Sequence, residues 1–109
     1  MLKPLTLLII LTLSACVSPD TAQGPKPKLL SQVNPLYPVY AVDHTIEGYV
    51  KIQFDVGADG KVSELRILDA KPRGLFEDKA IIAMAQWRYE KNKPYKNMDV
   101  TIRFKMNKL

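Results

Sequence analysis

Cys16 is the only thiol of the chain and His44 the only imidazole, which limits the chemistry that either can support. A disulfide needs a second cysteine, and a metal centre needs several suitable ligands that this sequence does not supply. His44 has no serine or cysteine nucleophile at a telling spacing and reads as a surface loop residue. Glu77 and Asp78 are the nearest approach to an acid–base pair. Adjacent helix positions do not face each other, however, and carboxylates in a first turn suit the positive end of the helix dipole. Trp87 and Tyr89 have the make-up of a ligand-stacking pair, yet Trp87 lies in the middle of an apolar arc and reads as a core anchor. These residues argue against an enzyme, and they imply neither a cofactor nor a metal.

Cys16 takes its meaning from what precedes it. Lys3 gives a positive start, Leu5 to Leu13 form a short apolar core, and Ser14-Ala15 are the small residues a signal peptidase needs. A bilayer-spanning helix would take about 20 apolar residues, whereas Ser18-Pro19-Asp20 follows Cys16 closely. Leu13-Ser14-Ala15-Cys16 resembles the lipobox of bacterial lipoproteins. That resemblance implies a leader over residues 1–15, cleavage before Cys16, and lipidation of Cys16, leaving no free thiol. Val17 stands where inner-membrane lipoproteins of enteric bacteria carry Asp, so the outer membrane is the expected anchor. An ordinary buried cysteine after a signal is the alternative.

The 109-residue chain carries 16 basic and 11 acidic side chains, a formal charge of +5. With the leader removed, it suffices for one domain and remains mildly basic. Such a charge suits an anionic envelope polymer and is too weak to indicate nucleic acid. Pro19, Gly24, Pro25 and Pro27, with Lys26 and Lys28, predict a flexible tether over residues 16–34. Fully extended, about 18 residues reach at most roughly 60 Å.

The elements follow from periodicity. Val50, Ile52, Phe54 and Val56 alternate with Lys51, Gln53 and Asp55, a strand with one buried face. Asp59-Gly60 supplies a tight reversal into a second strand from Lys61 to Leu68. Val62, Leu65 and Ile67 break strict alternation, which predicts a bulge near Ser63-Glu64. Lys71 to Gly74 ends that strand. Phe76, Ala80, Ala83, Met84 and Trp87 fall within about an 80° arc and predict a helix from Phe76 to Tyr89. Lys91 to Asp99 reads as a polar connection, and Val100 to Met106 as a last strand. A short helical turn is expected within Tyr37 to Asp43.

The predicted class is α+β: a three-stranded antiparallel sheet in the order β-β-α-β, with one face covered by a helix. A right-handed crossover puts the first strand in the middle and the last strand at an edge, where its backbone stays open to another chain.

Tyr37-Pro38, Ala41, Ile46-Glu47-Gly48, Val50, Phe54, Asp59-Gly60-Lys61-Val62, Ile67, Ala70, Pro72, Phe76, Ala83-Met84 and Trp87-Arg88-Tyr89-Glu90 together resemble the TonB C-terminal domain family. The resemblance runs from about Pro35 to Phe104, so the domain is expected over residues 35–109. It implies a non-enzymatic periplasmic domain that contacts outer-membrane transporters for siderophores or cobalamin. A transporter segment called the TonB box adds as a strand to the domain's edge. The partner-binding residues so implied are Val100, Thr101, Ile102, Arg103, Phe104, Lys105 and Met106, flanked by Tyr37 and Pro38.

The departures carry their own expectations. The family's inner-membrane helix is not seen, so coupling to the proton-motive-force complex is not expected. Val42 stands where the enteric pattern has Gln, and Ile81 and Ile82 replace polar positions. Leu75, Ile82 and Tyr89 recur every seven residues; they would form a partner or homodimer surface, or take contact from Leu29 to Pro38 folding back. Tyr49 points away from the buried face and is a candidate contact. Lys91, Lys93, Lys96, Arg103 and Lys105 form either a basic face for peptidoglycan or anionic headgroups, or a solvated surface. The second class of function is a structural envelope lipoprotein of a secretion, conjugation or Tol-like assembly.

Overall fold

The computed structural model describes residues 23–106, in the order β1 (Leu29–Ser31), α1 (Val39–Asp43), β2 (Gly48–Val56), β3 (Val62–Lys71), α2 (Glu77–Met84), β4 (Arg88–Tyr89) and β5 (Tyr95–Phe104). The leader over residues 1–15 and Cys16 lie outside the described residues. Alternation makes β2 the middle of the main sheet: Val50, Ile52, Phe54 and Val56 are buried, while Lys51, Gln53 and Asp55 turn to the other face. β2 pairs antiparallel with both neighbours, giving the order β3-β2-β5. The α+β architecture and the edge position of the last strand are therefore as expected.

The bulge falls where the broken alternation placed it. Gln53 faces Arg66 and Asp55 faces Ser63, with Glu64 between them at φ 51°. At the hairpin Gly60 adopts φ 80°, and a Cβ there would run into the Tyr89 carbonyl oxygen. Inside the sheet, α2 supplies Ala80, Ala83 and Met84 to the core. Tyr37 stands edge-on to both Phe76 and Phe104, with centroids 5.6 and 5.8 Å away. α1 ends in a paired turn: Ile46 N–H donates to the Ala41 carbonyl at 2.8 Å and Thr45 N–H to that of Val42 at 3.2 Å. Thr45 occupies the left-handed position, φ 53°, that glycine usually fills.

Four expectations are corrected. The helix stops at Met84, because the chain tightens through Gln86 N–H to the Ala83 carbonyl and Trp87 N–H to that of Met84. Tyr89 N–H then bonds the Gly60 carbonyl at 2.8 Å, drawing Arg88–Tyr89 into a strand paired with β1. Trp87 is the core anchor expected of it, 2% exposed, but from beyond the helix. The seven-residue stripe dissolves accordingly: Tyr89 is buried, Leu75 packs on the core, and Ile82 remains exposed.

The last strand begins at Tyr95 and ends at Phe104, leaving Lys105 and Met106 beyond it. Asn97 at φ 62° absorbs a register shift, which is why the sequence around it lacks strand alternation.

The expected tether is docked from Gln23 onward. Pro27 is buried, Lys28 N–H donates to Glu90 Oε1 at 2.8 Å, and Glu90 N–H returns a bond to the Lys28 carbonyl at 2.9 Å. Trp87 Nε1 donates to the Val33 carbonyl at 2.9 Å. The segment thus folds back beside the helix without covering it: Val33 to Leu36 and Lys79, Ile82, Ala83 and Gln86 line an open groove between the two, and Ile82 and Leu36 stay exposed. Among the described residues, no helix is long and apolar enough to cross a membrane.

Candidate functional site

β5 is bonded to β2 along one side, and among the described residues no strand pairs with its other side. From Gly48 opposite Phe104 to Phe54 opposite Met98, seven successive pairs run without a register shift. A straight, regular edge of this kind is a template for one more strand. β3, the other edge, has register shifts between Lys51 and Ile52 and between Gln53 and Asp55 of its partner, and such irregularities blunt an edge.

The predicted contact residues divide by facing. Ile102 and Phe104 point into the core and are buried, as does Met98; Val100 is half-buried against it. Thr101 and Arg103 are exposed on the opposite face. What these residues share is backbone rather than side chain, so the edge would hold an extended peptide by main-chain bonds. Lys105 and Met106 do not extend that edge. The Glu47 carboxylate, just ahead of β2, accepts the Met106 N–H at 2.7 Å.

Tyr37 and Pro38 are brought beside the edge but serve the fold. Pro38 is buried, and the Tyr37 hydroxyl donates to the Ile46 carbonyl at 2.5 Å with the Phe104 carbonyl 3.4 Å away. Burial, then the Glu47 charge, pushes its phenol pKa upward. Next to them α1 exposes Val39, Tyr40 and Val42. His44 is an exposed cap of that helix, stacked on Tyr40 at 4.0 Å with Nδ1 2.9 Å from the Tyr40 carbonyl. Among the described residues, no cluster of three or more His, Cys, Asp or Glu side chains could hold a metal.

The open face of the sheet carries paired polar groups. Tyr49 donates its hydroxyl to Asp69 Oδ2 at 2.7 Å; that bond is the main reason the phenol pKa is raised and the carboxyl pKa lowered. Tyr49 is therefore engaged within the domain. Burial raises the pKa of Asp55, yet the Asn97 N–H and the Arg66 guanidinium at 3.1 Å together hold it below its ordinary value. The basic residues do not form one patch. Lys91, Lys93 and Lys96 lie toward one end of β5, with Lys93 paired to Glu90 at 3.2 Å, and Arg103 and Lys105 lie at the other. Lys96 and Arg103 stand seven positions apart along the strand, about 23 Å.

One contact escaped sequence reasoning. Gln23 Nε2 donates to the Lys96 carbonyl at 3.1 Å, and Lys96 N–H donates to Gln23 Oε1 at 2.6 Å. Nothing local foretells a bond across 73 residues.

Residues 33–107 match the family model for the Gram-negative bacterial TonB protein C-terminal. The chain is 44% identical over 94 residues to protein TonB of Escherichia coli (strain K12), covering 86% of this chain and 39% of that protein. To protein TonB of Klebsiella pneumoniae it is 38% identical over 96 residues, covering 88% and 40%. The chain thus spans about 40% of the length of these curated relatives. Among solved structures, the Pseudomonas aeruginosa TonB CTD superposes with TM-score 0.68 at 28% identity, covering 81% of this chain and 94% of that one. The Vibrio anguillarum TonB2 protein gives TM-score 0.61 at 29% identity, covering 89% and 97%.

Proposed function

The chain belongs to the TonB C-terminal family, and from that membership we propose that its β5 edge captures an extended segment of a TonB-dependent outer-membrane transporter by strand addition. The family is non-enzymatic, and it points to the periplasmic side of the cell envelope. The observation that carries the reading is the run of seven regular pairs behind an edge, Met98 to Phe104, that no other strand among the described residues pairs. The transported compound would be of the siderophore or cobalamin kind that the resemblance implies.

Anchoring is part of the same proposal. Leu13-Ser14-Ala15-Cys16 supports cleavage before Cys16 and lipidation there, with Val17 favouring the outer membrane. Mass spectrometry of the mature protein tests this: a diacylglyceryl-modified N-terminal Cys16 is expected, and an unmodified chain retaining residues 1–15 overturns it.

Capture is tested by titrating isotope-labelled protein with a TonB-box peptide and following backbone amides by NMR. Shifts and new protection concentrated between Met98 and Phe104 are expected. A silent edge, with movement at Lys91 to Lys96 on adding peptidoglycan fragments, would overturn it in favour of an envelope scaffold.

A further inference from the structure

Resting on the capture reading, we propose that Gln23 is an end-stop that fixes the length and register of any strand added to β5. In a hydrogen-bonded antiparallel pair, two residues exchange both N–H···O bonds. The primary amide of Gln23 makes the same exchange with Lys96, taking its N–H at 2.6 Å and supplying a donor to its carbonyl at 3.1 Å. One side chain thus does at Lys96 what an incoming strand would have to do there.

The segment behind Gln23 keeps the amide in place. Gly24 is exposed, but Pro27 is buried, Lys26 Nζ sits 6.0 Å from the Tyr95 ring centroid, and Lys28 is bonded in both directions to Glu90. At the opposite end Glu47 takes the Met106 N–H at 2.7 Å. Only the Lys96 end of the free edge is closed by a side chain, since Glu47 precedes β2 and meets Met106 from the side that β2 already occupies. The window between Lys96 and the end of β5 is the regular run, Met98 to Phe104. An extended segment of about seven residues fills it; a longer one must displace Gln23 or leave its surplus residues unpaired.

The experiment uses two synthetic TonB-box peptides with a common core, one of seven residues and one of eleven extended by two at each end, against the wild-type protein and Gln23→Ala. Without peptide, Lys96 amide exchange should be about five-fold faster in Gln23→Ala, with the core amides unchanged. The wild type should bind both peptides within about two-fold and show no shift at Lys96. Gln23→Ala should bind the longer peptide about five-fold tighter than the shorter, with protection restored at Lys96. Unchanged exchange at Lys96 on removing Gln23 overturns the end-stop. So does a wild-type protein that binds the longer peptide several-fold tighter and recruits Lys96, although capture then stands. If neither peptide shifts any amide from Met98 to Phe104 in either protein, capture itself fails, and the end-stop with it.

Discussion

Single side chains here do tasks that their residue types do not announce. Trp87 was legible as a core anchor from its apolar setting, but its indole N–H also fastens the Val33 carbonyl, and no local pattern records that bond. Replacing it by Phe keeps the ring and removes the donor, so Trp87→Phe should lose about 1 kcal/mol, the worth of a neutral hydrogen bond, with a further cost for the smaller ring; urea unfolding measures it. Tyr49 was legible as pointing out of the core, and the sequence left open what it touches. Because its hydroxyl is the main reason the Asp69 pKa is lowered, Tyr49→Phe should raise the Asp69 pKa toward its ordinary value of 3.8. An NMR titration of the carboxyl carbon would show this, and an unmoved Asp69 would deny that cause.

At the scale of elements, strict alternation in β2 was decisive, since a half-buried strand must obey it. The helix was overrun because Trp87 satisfies a period of 3.6 while lying beyond the last turn, and Tyr89 is claimed by a strand partner 60 residues earlier in the chain, Leu29. β5 was read short because Asn97 interrupts its alternation with a left-handed residue. Folding back of Leu29 to Pro38 is legible only as an alternative, and the docking from Gln23 to Lys28 not at all: proline-rich composition signals a chain unable to order itself, and here the ordering comes from Glu90 and Trp87. Two predictions belong to this scale. Thr45→Gly should stabilise the domain by about 0.5–1 kcal/mol in urea unfolding, since a β-branched residue at φ 53° is strained where glycine is not. In an edge strand consecutive N–H groups point to opposite sides. Of Thr101→Pro and Ile102→Pro, one should therefore break the ladder to β2 and lower stability, while the other should stay folded and lose peptide capture. Two variants with the same outcome would contradict a regular edge.

For the whole molecule, the acid response follows from its carboxylates. Asp69 is lowered chiefly by Tyr49, Glu77 by the Gly74 N–H, and Glu90 by the Lys28 N–H, while Asp55 is lowered against its own burial by Asn97 and Arg66. All four have folded pKa values below their ordinary 3.8 or 4.5. Each contributes stability that is present above the ordinary value and is lost as pH falls through the folded one. The urea midpoint should therefore hold steady from neutral pH to about 5.5 and decline below about 4.5. Protonating Glu90 also weakens its hold on Lys28, so the protection factor of the Lys28 amide, its exchange relative to the unprotected rate at the same pH, should fall in that same acid range. A midpoint that rises on acidification would contradict the assignment.

The docking of the chain from Gln23 to Ser31 also sets an altitude. Under the proposed attachment at Cys16, only six residues separate it from Gln23, a contour of at most about 25 Å in place of the roughly 60 Å that a free linker to Pro35 would allow. The Lys96 end of β5 would therefore hang close to the membrane face. Were that membrane the outer one, as proposed above, a transporter in it could be met without any long arm.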